Sequence, residues 1–246
     1  MLTWVGVLVT MAALAEPVVL RTAAQEGSAP KFIEWEGSFQ GHCPDIFRAL
    51  EKIDPQLSFD INPMSTSIKR LESGLKEGRL DVVCALLDTP LRNEIAHRVA
   101  TPLFNVRERL VANAGETLQI RNYKELADTG DMVATQNGAS YSAVLRSHGV
   151  KVDDSSGDSA IALRKLVNGR VRFYYTNELT GAYYIQAGGL DKQLRLMPST
   201  LQETPSYLWI SRKVDDAVVQ RIERAVARLQ KEGVLDRIYR TYLNKS

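Results

Sequence analysis

The sequence predicts an α/β fold made of two similar units. Strand-like and helix-like segments alternate along the chain after residue 17, and the alternation starts again after a long extended segment at Leu103–Asn113. Two parallel strands need a crossover connection, usually a helix, so repeated strand–helix–strand order implies a parallel sheet in each unit. With 246 residues, 44% of them hydrophobic, the chain is long enough for one large domain or two small ones.

The first unit follows from apolar spacing and from the residues that begin and end each element. Apolar residues recur at helical spacing after Pro44, and Gly78 ends a second amphipathic segment. The resulting βαβαβ order predicts right-handed crossovers. The predicted elements are a strand at Val18–Ala23, a helix at Pro44–Ile53, a strand at Leu57–Ile61, a helix at Ser65–Glu77 and a strand at Asp81–Ala85.

A second unit is inserted into the first, and the chain then returns. Extended crossings near Arg109–Ala114 and Glu203–Tyr207 predict a two-strand hinge, which suits closure around a ligand. We therefore expect lobe I at residues 16–112 and 205–246, and lobe II at residues 113–204. The remaining predicted elements are strands at Met132–Gln136, Val150–Val152, Val171–Thr176, Leu194–Met197 and Ser206–Ser211, and helices at Ser140–Ser147, Ser159–Val167, Glu178–Gln186, Asp215–Lys231 and Leu235–Leu243.

The N-terminus predicts export. Residues 4–15 form an uncharged apolar run that ends in Ala13-Leu14-Ala15, a pattern typical of a secretory signal peptide covering residues 1–15. The run is too short for a comfortable membrane span. A buried first strand or helix is the alternative. The chain carries 31 basic and 29 acidic residues without a long basic run, which argues against nucleic acid as a partner.

The cysteine content leaves two possibilities open. An exported protein with two cysteines, Cys43 and Cys84, has the right number for one disulfide, and two separate buried thiols are the alternative. Their spacing matches no metal motif, and the chain has only three histidines. No metal and no cofactor are predicted.

The segment Arg79–Arg98 offers a candidate for anion binding. A buried-type strand runs into the polar turn Asp88-Thr89-Pro90, and Arg92 follows at the start of a predicted helix. Open α/β sheets bind ligands at the carboxyl ends of their strands. A guanidinium there brings a permanent charge and five donors, which suits a small carboxylate.

Four motifs resemble those of the bacterial extracellular solute-binding proteins of the polar amino acid uptake type. The resemblance covers about residues 18–243, and the order and spacing of the motifs carry it. They are Gly41-His42-Cys43-Pro44-Asp45-Ile46 at the first helix, Leu75–Val82 at the turn into the third strand, Thr89-Pro90-Leu91-Arg92, and the C-terminal Leu229–Tyr239.

The resemblance implies a two-lobe periplasmic-binding-protein-like fold of type II, with a two-strand hinge and a ligand cleft between the lobes. It implies a monomeric periplasmic protein that captures a small polar, amino-acid-like solute for an ABC permease and ATPase in the inner membrane. A periplasmic sensing protein is the first alternative. An enzyme of the same fold is the second, and Glu178 would then be its candidate acid.

The family's binding residues map onto positions of this sequence. The resemblance assigns Thr89 and Arg92 to the ligand carboxylate, and Ala139 and Ser140 to an anion-binding turn at a helix start. Ser140 is also predicted to cap that helix. The loop after the first strand places Phe32 and Trp35 as an aromatic wall over the ligand, with simple loop packing as the alternative.

Two positions depart from the family pattern. The family's aspartate for the ligand ammonium is Asn177 here, which supplies no full negative charge, although Glu178 follows and offers a substitute. Leu87 stands where a hydroxyl residue often faces the ligand. Both departures favour a carboxylate ligand with less cationic character, or one recognised mainly by shape.

The predicted lobe I sheet brings the two cysteines to one edge. Cys43 begins the first helix and Cys84 ends the third strand, at the same edge of the lobe I sheet. We therefore hypothesise a Cys43–Cys84 disulfide beside the binding site. By lowering the entropy of the unfolded chain, such a bond would stabilise the fold by roughly 3–4 kcal/mol.

Overall fold

The computed structural model describes residues 17–244, so the predicted signal peptide lies outside the described residues. The strands are β1 (Val18–Gln25), β2 (Ile33–Trp35), β3 (Ser38–Gln40), β4 (Leu57–Thr66), β5 (Val82–Leu87), β6 (Ala96–Arg98), β7 (Phe104–Asn113), β8 (Met132–Gln136), β9 (Lys151–Ser156), β10 (Phe173–Asn177) and β11 (Leu194–Ser211). The helices are α1 (His42–Ile53), α2 (Ile68–Glu77), α3 (Pro90–Ile95), α4 (Tyr123–Asp128), α5 (Tyr141–Ser147), α6 (Ser159–Val167), α7 (Glu178–Ala187), α8 (Asp216–Lys231) and α9 (Val234–Asn244).

The strands form one large mixed sheet and two small ones. In the large sheet the order is β5-β11-β7-β10-β8-β9, and β6 also pairs with β11. β1 and β4 form a separate parallel pair, and β2 and β3 form a hairpin. In lobe II, β8 is parallel to both β9 and β10, as the alternating sequence predicts.

The predicted parallel ladder forms between β1 and β4, but β5 does not extend it and instead pairs antiparallel with β11. Asp81, just before β5, donates its backbone N–H to the carbonyl of Arg21 in β1 at 2.8 Å. The Asp81 carboxylate in turn accepts the backbone N–H of Arg21 at 2.8 Å and binds its guanidinium. A side chain thus takes the place of the next ladder bond, and β5 continues instead along β11.

One of the two hinge strands, β11, is longer than predicted, while β7 matches the predicted extended segment. β11 is one 18-residue strand that joins the predicted segments Leu194–Met197 and Ser206–Ser211, and it pairs antiparallel with β7. Glu203 lies opposite Arg107, whereas Arg109 lies opposite Thr200, so the two predicted crossings are offset by a few residues. Register shifts between Leu196 and Gln202 bend this ribbon in the middle.

The buried apolar residues form clusters on either side of the β7–β11 ribbon. One cluster packs α1, α8 and α9 against β1, β4 and β5, with Phe47 and Leu208 at its centre. Two others pack α5, α6 and α7 against β8 and β10, with Leu163 and Phe173 fully buried. The fold is the two-lobe type II fold, while the exact lobe boundaries stay a prediction. None of the helices in the described part combines the length and apolar character of a membrane span.

Candidate functional site

A cavity of about 70 Å³ lies where the two lobes face each other. By this measure one water needs about 10–15 Å³, so the space suits a small molecule. Its lining comes from the ends of β1, β5, β8 and β10, from the segments that follow them, and from β7 and β11. The lining residues are Gln25, Ser28, Lys31, His42, Ile68, Ala85, Leu86, Leu87, Arg92, Phe104, Val106, Gln136, Ala139, Ser140, Tyr141, Asn177, Leu179, Thr180 and Ser206.

Arg92 is the buried guanidinium of this cavity. Thr89 Oγ1 caps α3 by accepting the Arg92 backbone N–H at 3.3 Å, which sets the position of the side chain. Arg92 is only 3% exposed; its Nε donates to Glu72 Oε1 at 2.9 Å and its Nη1 donates to the Leu87 carbonyl at 2.7 Å. Within residues 17–244 its Nη2 makes no hydrogen bond. Burial lowers the pKa of Arg92, but a guanidinium stays charged at neutral pH.

Lys31 is a second buried cation that the sequence analysis missed. It lies in the loop between β1 and β2, is 7% exposed, and its Nζ donates to Gln25 Oε1 at 2.7 Å. Burial, and then the charge of Arg92, lower the pKa of Lys31 well below its usual range. The loop has no periodic pattern, so only the three-dimensional structure reveals where this lysine lies.

A chain of amides continues from Lys31 across the cleft. Gln25 Nε2 donates to Gln136 Oε1 at 3.2 Å, and Gln136 Nε2 donates to the carbonyls of Glu26 at 3.1 Å and Gly157 at 2.8 Å. Gln25 belongs to β1 and Gln136 to the end of β8. These contacts join the two sides of the cleft directly above the cavity.

His42 at the start of α1 is the third polar group on this side. It is 5% exposed, it contacts Phe104 edge-on at 5.2 Å between ring centres, and its Nδ1 is buried without a hydrogen-bond partner in the described structure. Burial, and then the charge of Lys31, lower the pKa of His42 to about 3. The ring is therefore neutral at physiological pH.

This depressed pKa predicts an acid-dependent loss of stability. In the unfolded chain His42 takes up a proton near its ordinary pKa of 6.5, whereas the folded protein resists protonation until about pH 3. The free energy of unfolding should thus fall by up to about 1.4 kcal/mol per pH unit below 6.5 on account of this residue. His42→Gln should lack that contribution. Urea unfolding of both proteins from pH 4.5 to 7.5 measures the difference, and parallel stability–pH curves would contradict the assignment.

Ala139 and Ser140 reach the cavity from lobe II, in the turn between β8 and α5. Gly138 in this turn adopts φ +78°, and a Cβ added to it would lie 3.5 Å from the Cβ of Ile68 at the start of α2. The turn therefore faces lobe I. Ser140 occupies the expected N-cap position before Tyr141, but its side chain makes no capping hydrogen bond. Ser140 itself has helical backbone angles, which remove the usual capping geometry.

Asn177 lines the cavity and also caps α7. Its Oδ1 accepts the Thr180 backbone N–H at 3.0 Å, and its Nδ2 donates to Thr180 Oγ1 at 3.0 Å. Both ends of the amide are engaged in holding the start of the helix. Asn177 thus presents to the cavity a neutral side chain whose orientation is fixed.

Glu178 is not the substitute acid that the sequence suggested. It is 1% exposed, and its carboxylate accepts the Tyr239 hydroxyl at 2.6 Å and pairs with Arg107 at 3.0 Å and Arg109 at 3.4 Å. These partners belong to α9 and β7, so the carboxylate turns toward the hinge and does not line the cavity. The ion pairs explain why a carboxylate next to Asn177 is unavailable to a ligand.

Three of the expected binding residues do not line the cavity. Phe32 packs edge-on against Phe39 at 5.9 Å, and Trp35 is 57% exposed on β2. Phe32 directly precedes the β2–β3 hairpin and Trp35 belongs to it, and neither residue lines the cavity beside Arg92. Thr89 serves as the cap of α3. Loop packing, the alternative for the two aromatic residues, agrees with the placement of Phe32 but not with that of the exposed Trp35.

The Cys43–Cys84 disulfide is present. It ties the first turn of α1 to the middle of β5, and the neighbouring residues His42 and Ala85 both line the cavity. Ala85 has φ 53°, a left-handed conformation that is unusual for a residue with a side chain. The bond therefore fastens together two segments that shape the cavity.

The comparison with known families agrees with this geometry. The bacterial extracellular solute-binding proteins, family 3, match residues 20–245. The chain belongs to this family. The resemblance read from the four motifs is confirmed, and the family match extends over nearly all of the described residues. No match was found among curated protein sequences.

Solved structures share the fold of this family 3 protein at low sequence identity. A histidine kinase sensor domain similar to periplasmic binding proteins has a TM-score of 0.79 and 19% identity, covering 93% of this chain and 97% of its own. A putative ABC transporter binding component from Wolinella succinogenes, complexed with lysine, has a TM-score of 0.78 and 19% identity. The match covers 92% of this chain and 95% of its own. An ancestral amino-acid-binding protein, a precursor of cyclohexadienyl dehydratase, has a TM-score of 0.76 and 18% identity. The match covers 92% of this chain and 95% of its own.

Proposed function

We propose that this family 3 protein is a periplasmic solute-binding protein that captures a small, carboxylate-bearing solute and delivers it to an ABC permease and ATPase in the inner membrane. One observation carries the proposal. Arg92 is buried at the wall of the interlobe cavity, and its Nη2 is not used by the described chain. A carboxylate supplies the acceptor for such a donor through a charge-assisted hydrogen bond.

The proposed binding residues come from both lobes. Arg92 holds the carboxylate, and the Ala139–Ser140 turn and Asn177 close over the solute from lobe II. We assign lobe I to residues 16–112 and 205–246, lobe II to residues 113–204, and the signal peptide to residues 1–15. The protein acts as a monomer, and closure about the β7–β11 ribbon brings the two halves of the site together.

A ligand screen tests this function. Purified mature protein is heated with amino acids, mono- and dicarboxylates, hydroxy acids and amines, and the unfolding temperature is recorded. A ligand present at 100 times its dissociation constant should stabilise the folded state by about 2.7 kcal/mol. We expect stabilisation by at least one carboxylate and none by simple amines. If only compounds without a carboxylate stabilise the protein, the proposal is wrong.

A sensing protein is the second candidate, and the likeness to a histidine kinase sensor domain favours it. Capture of a solute is common to both roles. Deletion of the gene separates them, since a transport protein is needed for solute uptake and a sensor for a transcriptional response. We propose no enzymatic activity: Glu178, the candidate acid, is committed to Arg107, Arg109 and Tyr239.

A further inference from the structure

The charges at the cavity wall are unbalanced. Arg92 and Lys31 both line it, whereas no Asp or Glu does so within residues 17–244. Glu72, which does not line the cavity, pairs with Arg92 Nε and offsets the charge of that guanidinium. An ammonium group in this cavity would therefore meet two cations and no free carboxylate, at a place where water offers little screening.

Lys31 has no counter-charge of its own. In the described chain its Nζ donates only to the neutral amide of Gln25. An unpaired buried ammonium is costly, and an anion placed beside it removes much of that cost. His42, on the same wall, adds a buried Nδ1 that has no partner among residues 17–244. Besides Arg92, Lys31 therefore lacks a counter-charge and His42 Nδ1 lacks a hydrogen-bond partner within residues 17–244. A bound ligand supplies such partners.

We propose that the solute is a small carboxylic acid without an ammonium group, and that Lys31 and Arg92 hold its carboxylate together. This inference rests on the proposed function, because it concerns the ligand of the same cavity. A carboxylate bound beside Lys31 favours the charged form of that amine. With Glu72 beside Arg92, the two cations then carry one net positive charge, which the single carboxylate neutralises. An uncharged oxygen, such as a keto or hydroxyl group, can occupy the position that an ammonium has in an amino acid, near the neutral amide of Asn177.

Matched pairs of ligands test the class of solute. Calorimetric titration compares pyruvate with alanine, 2-oxoglutarate with glutamate, and 4-methyl-2-oxopentanoate with leucine, since the members of each pair differ at one carbon. We expect the better-fitting oxo acid to bind at least 100-fold more tightly than its amino acid. Tighter binding of the amino acids overturns this inference and leaves the proposed function standing. No binding by either set counts against both.

A charge-removing variant tests the role of Lys31. Lys31→Met keeps the unbranched stem of the buried side chain without the charged end group and should weaken binding of the best oxo acid by at least 30-fold. Because it also removes an unpaired buried charge, its unfolding temperature without ligand should equal or exceed that of the parent protein. Lys52→Met, at an exposed position on α1, is the control and should change neither quantity. Unchanged affinity in a folded Lys31→Met protein refutes the assignment.

Discussion

Replacing Arg92 with alanine should weaken solute binding more than any other single change at the site. The variant loses a guanidinium that is almost fully buried at the cavity wall and whose Nη2 is available to the ligand. Loss of one partner from a buried, hydrogen-bonded charge pair costs about 2–5 kcal/mol, or roughly 30- to 4,000-fold in dissociation constant. Calorimetric titration with the best hit of the ligand screen measures the change.

The Arg92 experiment needs variants that separate charge, geometry and folding. Arg92→Lys keeps the charge but loses the planar fork, so we expect an intermediate affinity. Arg92→Ala also leaves Glu72 without its partner, and the double variant Arg92→Ala/Glu72→Gln removes that unpaired carboxylate. Arg79→Ala is the matched control, because Arg79 is exposed and pairs with Glu77 away from the cavity. Unchanged affinity in a folded Arg92→Ala protein would exclude the proposed carboxylate contact.

The site residues that belong to recognisable motifs were predictable from the sequence. Arg92, Ala139, Ser140 and Asn177 follow strands whose ends were predictable, and all four line the cavity. Lys31 was not predictable, because it lies in a loop whose path depends on the β2–β3 hairpin.

The remaining site residues depended on long-range contacts. His42 lies within a quoted motif, yet its unpartnered state depends on packing against Phe104, which is far away in sequence. Glu178 was misjudged for the same reason, since its partners Arg107 and Tyr239 come from β7 and α9.

The fold could likewise be predicted where it depends on local apolar periodicity, but not where it depends on contacts between residues far apart in the sequence. Periodicity located the long helices and strands to within a few residues, because burial of one face is a local constraint. The pairing of β5 with β11 was not predicted, since the two strands lie more than a hundred residues apart in the sequence. The short helix α4 and the short strands β2, β3 and β6 went unpredicted, because three to six residues carry too little periodic pattern.

Loss of the Cys43–Cys84 disulfide should cause the largest change in stability that we predict. The bond joins residues 41 positions apart, and both cysteines are fully buried. Closing a loop of this length in the unfolded chain is worth about 3–4 kcal/mol in the chain-entropy model. For a protein of this size the unfolding temperature should fall by about 6–16 °C in Cys43→Ala/Cys84→Ala. Denaturant and thermal unfolding of the oxidised protein and the variant measure this loss.

The disulfide should also affect binding, because it lies between two cavity-lining residues. His42 precedes Cys43 and Ala85 follows Cys84, so the bond limits the relative motion of α1 and β5 at the site. A less constrained site must be ordered when the ligand binds, which lowers affinity. Reductant should reproduce both effects in the parent protein and have none on the double variant. Alkylation of both cysteines in the native protein before reduction, detected by mass, would show that the bond does not form and would remove the basis for both predictions.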